Sequence, residues 1–222
     1  MWRIILLLVC VWMSGSQSEF TNSVIDISHY QTNVDFSKVK SDGIVAVIHK
    51  ATQGTRYVDP VYSQRRTLAQ NYGLLWGAYH FASAGNPIAQ ADHFLKTVGN
   101  IDGVLLVVDL EDNGGNNMTP DEAEQFVKRI REKTGRYPVV YGSPNYLKTF
   151  NKENLNKCSL WIAMYSSSPQ PILPQFRKSW VLWQYTDGAE GGNPRSVAGI
   201  GTCDRDRYNG SVDQLENRWP NL

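Results

Sequence analysis

Short apolar, β-branched runs alternate with helical patterns through most of this chain, and that alternation constrains the fold more than any other feature. The runs fall at 24–27, 45–48, 75–79, 104–108, 138–141, 160–163 and 181–185. Helical patterns separate several of them, at 59–71, 87–98 and 119–134. The last has both ends written in its residues. Thr119 can cap it, Pro120 suits its first position, and Glu122 completes a capping box. Phe126, Val127 and Ile130 form its apolar stripe, and Gly135 ends it. Alternation of this kind predicts a parallel sheet with helices packed outside. After Tyr165 the helical patterns stop. Residues 166–179 are rich in Ser and Pro, and the remainder reads as strands and a short terminal helix. The expected class is α/β: a modified TIM-like barrel with about five β/α units and a strand-rich C-terminal part. An open doubly wound sheet is the alternative, but no GxGxxG follows the first run, so nucleotide binding lacks support.

Polar and aromatic residues collect where these runs end. Asp26 leaves the first, with His29 close behind, and Lys50 follows the second. Tyr79-His80-Phe81 ends the third, Asp109 and Glu111 the fourth, Tyr141 the fifth, Tyr165 the sixth and Gln184-Tyr185 the seventh. In a parallel barrel these ends share one face, and that face carries the active site. The run Val104-Leu105-Leu106-Val107-Val108 passes directly into Asp109-Leu110-Glu111. Residues two apart on a strand project to the same side, so the two carboxylates point together. Paired carboxylates at the mouth of a buried strand cost desolvation and mutual repulsion, and their commonest use is acid/base work on a glycosidic bond. A strand ending in a polar turn would read the same way locally, since Asp112-Asn113-Gly114-Gly115 follows.

The N-terminus carries Arg3, an apolar stretch over 4–13 and then small residues, the pattern of a secretory signal over 1–18. The stretch is shorter than the roughly 20 residues a membrane span needs. One catalytic domain over 19–222 is expected, secreted to the extracellular space. The chain has 22 basic and 21 acidic residues, and removing Arg3 with the leader brings the balance to zero. No basic stripe predicts a nucleic acid or an anionic membrane as partner. Cys158 and Cys203 remain beyond the leader, and an oxidising compartment permits a bridge between them without requiring one. Asn117 and Asn209 open N-glycosylation sequons. His29 and His80 lack metal-ligand spacing, so no metal or cofactor is expected.

A set of short motifs resembles the family 25 glycoside hydrolases, the Chalaropsis-type lysozymes. They are Ile25-Asp26-Ile27-Ser28-His29-Tyr30-Gln31, Lys50-Ala51-Thr52-Gln53-Gly54, Gly77-Ala78-Tyr79-His80-Phe81 and Gln90-Ala91-Asp92-His93-Phe94. Val108-Asp109-Leu110-Glu111, Leu160-Trp161-Ile162-Ala163, Trp183-Gln184-Tyr185, Cys203-Asp204 and Tyr208-Asn209-Gly210 complete the set. Each is weak alone. In family order over nearly the whole chain they are specific.

The resemblance implies a secreted, bacteriolytic lysozyme acting on the β-1,4 bond between N-acetylmuramic acid and N-acetylglucosamine in peptidoglycan glycan strands. It carries the family acids onto Asp26, Asp109, Glu111 and Asp204, with Glu111 as general acid. The substrate's own N-acetyl group is implied as helper, through an oxazolinium held by Asp109 or Asp26. Tyr79, Phe81, Tyr141, Tyr165 and Gln184 are the expected substrate-binding residues, whereas Trp161 reads as barrel packing. Two departures stand out. The usual Lys-Ala-Thr-Glu-Gly has Gln53 in place of Glu. The last motif places Arg205, Asp206 and Arg207 beside Asp204, so Asp206 competes for its place, and the spacing to Tyr208-Asn209-Gly210 selects Asp204. A secreted glycan-binding barrel that has lost catalysis is the rival from another class, and the intact Asp109 and Glu111 speak against it. A chitinase-like hydrolase would place more acids along the fourth run, where Leu105 and Val107 stand.

Overall fold

The computed structural model describes residues 20–222, and the expected leader over 1–18 lies outside the described residues. The elements run β1 (Thr21–Ile27), α1 (Phe36–Ser41), β2 (Ala46–Gln53), β3 (Tyr57–Val58), α2 (Tyr62–Asn71), β4 (Leu75–Phe81), α3 (Pro87–Val98) and β5 (Val104–Asp109). They continue with α4 (Pro120–Thr134), β6 (Val139–Gly142), α5 (Pro144–Leu147), β7 (Leu160–Ala163), β8 (Leu182–Thr186), β9 (Ser196–Val197), β10 (Gly201–Thr202), β11 (Asp204–Tyr208) and α6 (Val212–Arg218). Eight strands close into a barrel in the order β1-β2-β4-β5-β6-β7-β8-β11, as the α/β, TIM-like expectation requires. Pairing is parallel from β1 round to β8. β11 then lies antiparallel to both β8 and β1 and completes the ring.

Helices occupy the first five strand-to-strand crossings, and no regular element lies between Ala163 and Leu182. The α4 ends form as their residues dictate. Thr119 and Glu122 make the reciprocal capping box, and Gly135 takes the left-handed conformation (φ 73°) that a side chain would resist. Among the boundaries that differ from expectation, two have a clear cause in buried polar pairing. β2 runs on past Ile48 to Gln53, because its buried polar residues are paired: His49 Nδ1 bonds Lys50 O at 2.7 Å, and Thr52 Oγ1 bonds His80 Nδ1 at 2.7 Å. The helix expected from residue 59 starts at Tyr62, because the Asp59 carboxylate instead accepts from His29 and Val61 backbone N–H groups.

Two apolar layers hold the barrel. The inner one contains Val24, Ile48, Leu105, Val107, Val139, Leu182 and Tyr208, closed at the bottom by Leu215 and Trp219. The outer one packs strand faces such as Ile25, Val47, Leu106 and Val108 against Phe94, Phe126 and Ile130. Cys158 and Cys203 are buried, free thiols with no bridge between them.

Candidate active site

Strand periodicity dictates what faces the barrel interior near its top. Residues two apart share a face, so an inward apolar residue is followed by an inward polar one at the strand end. Val24 leads to Asp26, Ile48 to Lys50, Val107 to Asp109, Val139 to Tyr141, and Leu182 to Gln184. β11 runs the opposite way, so its beginning reaches the same face: inward Tyr208 is preceded by Asp206 and then Asp204. The register confirms the meeting, with Asp26 opposite Asp204 and Val24 opposite Asp206.

These residues enclose a cavity of about 160 Å³ lined by Asp26, Tyr79, Asp109, Glu111, Tyr141, Trp161, Tyr165, Gln184 and Asp204. A wider cavity of about 440 Å³ adjoins it and shares Glu111, Tyr141 and Tyr165, adding Asp112, Ser143, Asn145 and Tyr146. Together they form an elongated cleft with Glu111 at the junction. Glu111 lies just beyond β5, whose last residue is Asp109. The intervening backbone is held by Leu110 N–H donating to Tyr141 O at 3.0 Å. Gly142 permits this approach, since a Cβ there would lie 2.5 Å from Leu110 O.

A hydrogen-bond chain crosses the floor. Tyr141 O–H donates to Gln184 Oε1 at 2.7 Å, and Gln184 Nε2 donates to Asp26 Oδ2 at 2.8 Å. Trp161 Nε1 donates to Asp206 Oδ1 at 2.7 Å. Asp109 and Glu111 both line the cavity, close enough that each shifts the other's acidity. Asp109 Oδ1 is buried and has no hydrogen-bond partner among the described residues.

Electrostatics follow from enclosure. Burial raises Asp109 well above the ordinary carboxylate range, and the neighbouring Glu111 raises it further. Burial likewise raises Glu111, while its contact with Asp109 and the charge of Lys50 pull it back. Asp26 is raised well above its ordinary value by burial and by Asp204, Asp206 and Asp109. Asp204, more open, is raised to about 6 by burial and Asp187. The cation facing the pair is Lys50, whose Nζ donates to Gln53 Oε1 at 2.8 Å and sits 4.6 Å from the Phe81 ring centroid. Gln53 thus keeps a hydrogen bond to Lys50 but leaves the lysine's charge uncompensated by that neighbour.

All four expected acids meet in the cavity, as do Tyr79, Tyr141, Tyr165 and Gln184. Phe81 does not line it; its ring lies under Lys50 instead. Trp161 is packed edge-on against Tyr141, centroids 4.7 Å apart, and also presents its N–H to Asp206. Packing was the expected role, and the contact to an acid was missed. Asp206 is fully enclosed. The signal that could have placed it is its i, i+2 relation to Asp204. His80 is a core histidine between Thr52 and Gln90, and half-exposed His29 pairs with Asp59 at 2.9 Å.

The family model described as Glycosyl hydrolases family 25 matches residues 25–192. Lysozyme M1 of Streptomyces globisporus is 32% identical over 212 residues, 86% of this chain and 69% of its own length. The N,O-diacetylmuramidase of Chalaropsis sp is 32% identical over 214 residues, 86% of this chain and 95% of its own. The crystal structure of the bacterial lysozyme from Streptomyces coelicolor superposes with a TM-score of 0.78 at 32% identity, covering 89% of this chain and 96% of that one.

Proposed function

The chain belongs to glycosyl hydrolase family 25 and is a glycosidase of the lysozyme type, and from that premise we propose that it is a secreted muramidase cutting the β-1,4 bond after N-acetylmuramic acid. Peptidoglycan is the substrate that its relatives' names support. The observation that carries the finer reading is the single cavity that Asp26, Asp109, Glu111 and Asp204 line together. Asp109 and Glu111, two residues apart at the end of β5, supply an acid and a neighbouring carboxylate. Help from the substrate's own N-acetyl group is the route this reading adopts.

In this reading Glu111 gives its proton to the glycosidic oxygen as the bond to the muramic C1 breaks. The bonding electrons leave with that oxygen, which departs as the 4-hydroxyl of N-acetylglucosamine. The acetamido oxygen closes on C1 to form an oxazolinium, whose positive charge Asp109 and Asp26 face. Water then opens the ring at C1 and returns a proton to Glu111. A raised pKa at Glu111 suits this task, because an acid must hold its proton near neutrality until the bond breaks. The cleft shape assigns the muramic ring to the acid-lined cavity and the leaving sugar to the wider one beyond Glu111. Tyr141, Tyr165 and Gln184 would contact the sugar, Tyr165 from the rim.

Digesting purified cell wall tests this reading. New reducing ends on N-acetylmuramic acid, identified by mass, are expected. Reducing ends on N-acetylglucosamine would contradict the bond assignment, and no soluble fragments would favour the glycan-binding rival. Secretion rests on the leader pattern over 1–18. Mass measurement of protein recovered from culture medium should show that leader removed.

A further inference from the structure

Two exposed aromatic side chains, Tyr30 (76% exposed) and Tyr57 (38%), share one place at the barrel mouth. His29 joins them, its ring centroid 4.2 Å from that of Tyr30 and 6.1 Å from that of Tyr57. The group is pinned from below. Buried Asp59 accepts from the His29 backbone N–H at 3.0 Å and from its Nδ1 at 2.9 Å. Arg65 Nη1 donates to Ser28 O at 2.7 Å and holds the turn that presents Tyr30, whose own N–H donates to Ser28 Oγ at 3.3 Å. On the other side His93 Nε2 donates to Tyr57 O at 2.9 Å. A single exposed tyrosine is ordinary, but a cluster of rings fixed in solvent by a buried acid is not. Rings already fixed lose little freedom when they bind.

The platform lies in line with the cleft. His29 and Tyr30 follow Asp26 just beyond the end of β1, and Tyr57 belongs to β3, which pairs with the end of β2. Lys50, inward on β2, brings its Nζ to 5.5 Å from the Tyr57 ring centroid. The wider cavity stands over the ends of β6 and β7, at Ser143 and Ala163. In the ring order β1-β2-β4-β5-β6-β7-β8-β11, β1 and β2 stand across the mouth from β6 and β7. The platform and the wider cavity therefore flank the acid-lined cavity on opposite sides. We propose that Tyr30 and Tyr57, backed by His29, form a further sugar subsite for the N-acetylglucosamine ring on the non-reducing side of the muramic residue. This rests on the muramidase reading, which places the leaving sugar in the wider cavity and the preceding ring opposite it. A β-1,4-linked glucosamine ring carries its hydroxyl and acetamido groups around its edge and C–H bonds on its faces. Such a face is apolar and slightly positive, and it complements the negative face of a tyrosine ring. Tyr30 has His29 on one side and solvent on the other, so one face is open to stack.

Two peptide-free oligosaccharides separate this subsite from the rest of the cleft. The tetrasaccharide N-acetylglucosamine–N-acetylmuramic acid–N-acetylglucosamine–N-acetylmuramic acid fills it, and the trisaccharide lacking the first ring does not. Calorimetric titration of the Glu111→Gln protein, which does not turn the sugars over, should give tighter binding of the tetrasaccharide. Adding Tyr30→Ala should weaken the tetrasaccharide by about tenfold and the trisaccharide by less than about twofold. Tyr30→Trp, which keeps a flat face, should retain the difference between the two sugars. Tyr30 is the residue to change, because Tyr57 also meets Lys50. In otherwise unaltered protein, Tyr30→Ala should raise KM for the tetrasaccharide by a similar factor and leave kcat within about twofold. Equal binding of the two sugars by the Glu111→Gln protein, or no binding of either, overturns the proposal. So does a Tyr30→Ala that weakens both sugars alike or neither. The binding arm needs no cleavage. Should the unaltered protein bind the tetrasaccharide but fail to cut it, the muramidase reading falls while the two affinities still decide the subsite.

Discussion

Gln184 Nε2 donates to Asp26 Oδ2 at 2.8 Å, tying the eighth strand to the first across 158 residues of chain. The amide cannot turn over without loss, because Tyr141 O–H donates to its oxygen at 2.7 Å. This contact lowers Asp26 against the burial that raises it. A hydrogen bond to a charged group is worth about 1.5–3 kcal/mol, or roughly one to two pH units. Gln184→Leu should raise Asp26 further, so the acid limb of the pH–rate profile should move upward by about one unit. An unmoved acid limb would mean that Asp26 is not the ionised group the reaction needs.

Lys50 acts on the other pair. Its charge lowers both Asp109 and Glu111. Lys50→Met keeps the stem over Phe81 and removes the charge. Both carboxyls should then hold protons to higher pH, and the alkaline limb, which reports loss of the Glu111 proton, should move upward. The two limbs belong to the coupled set rather than to single residues, so the displacement is the quantity to measure. A downward displacement would reverse the assigned role of Lys50.

Asp204 should show the stability cost of a working acid. Its folded value of about 6 stands above the ordinary 3.8. Between those values the folded chain holds a proton that the unfolded chain has released, so stability falls as pH rises through this window. The cost is absent below about pH 4 and complete above about pH 6. Asp204→Asn should therefore stabilise the protein at pH 7.5, by about 1–2 kcal/mol after allowing for partial exposure, and have little effect at pH 4. Denaturant titrations at the two pH values check this, and equal effects at both would remove the link to Asp204 ionisation.

Much of the barrel was legible because parallel strands carry two readable signals at once. Runs such as Val104 to Val108 are buried on both faces, and their polar ends all reach the same rim. That rule brought Asp26, Asp109, Tyr141 and Gln184 into one site without further information. It fails for β11, which runs antiparallel, so its active end is its beginning. Asp204 came from a motif resemblance, and Asp206 was seen only as its competitor. Phe81 stands two residues beyond Tyr79, on the same side of β4, yet its ring meets the Lys50 ammonium rather than lining the cavity. Trp161 packs edge-on against Tyr141 and also lines the cavity, and its buried indole N–H, which needs an acceptor, finds one in Asp206.

Glu111 carries the central claim, and Glu111→Gln tests it most directly. The substitution keeps size and leaves a group able to hydrogen-bond Asp109, but removes the transferable proton. General acid help is commonly worth about 10²–10⁴ in rate. Release of soluble fragments from purified peptidoglycan should fall by at least about a hundredfold, with cell-wall binding and the unfolding midpoint retained. Fragment release within about threefold of the parent would contradict the assignment of Glu111 as the acid, and with it the mechanism built on this site.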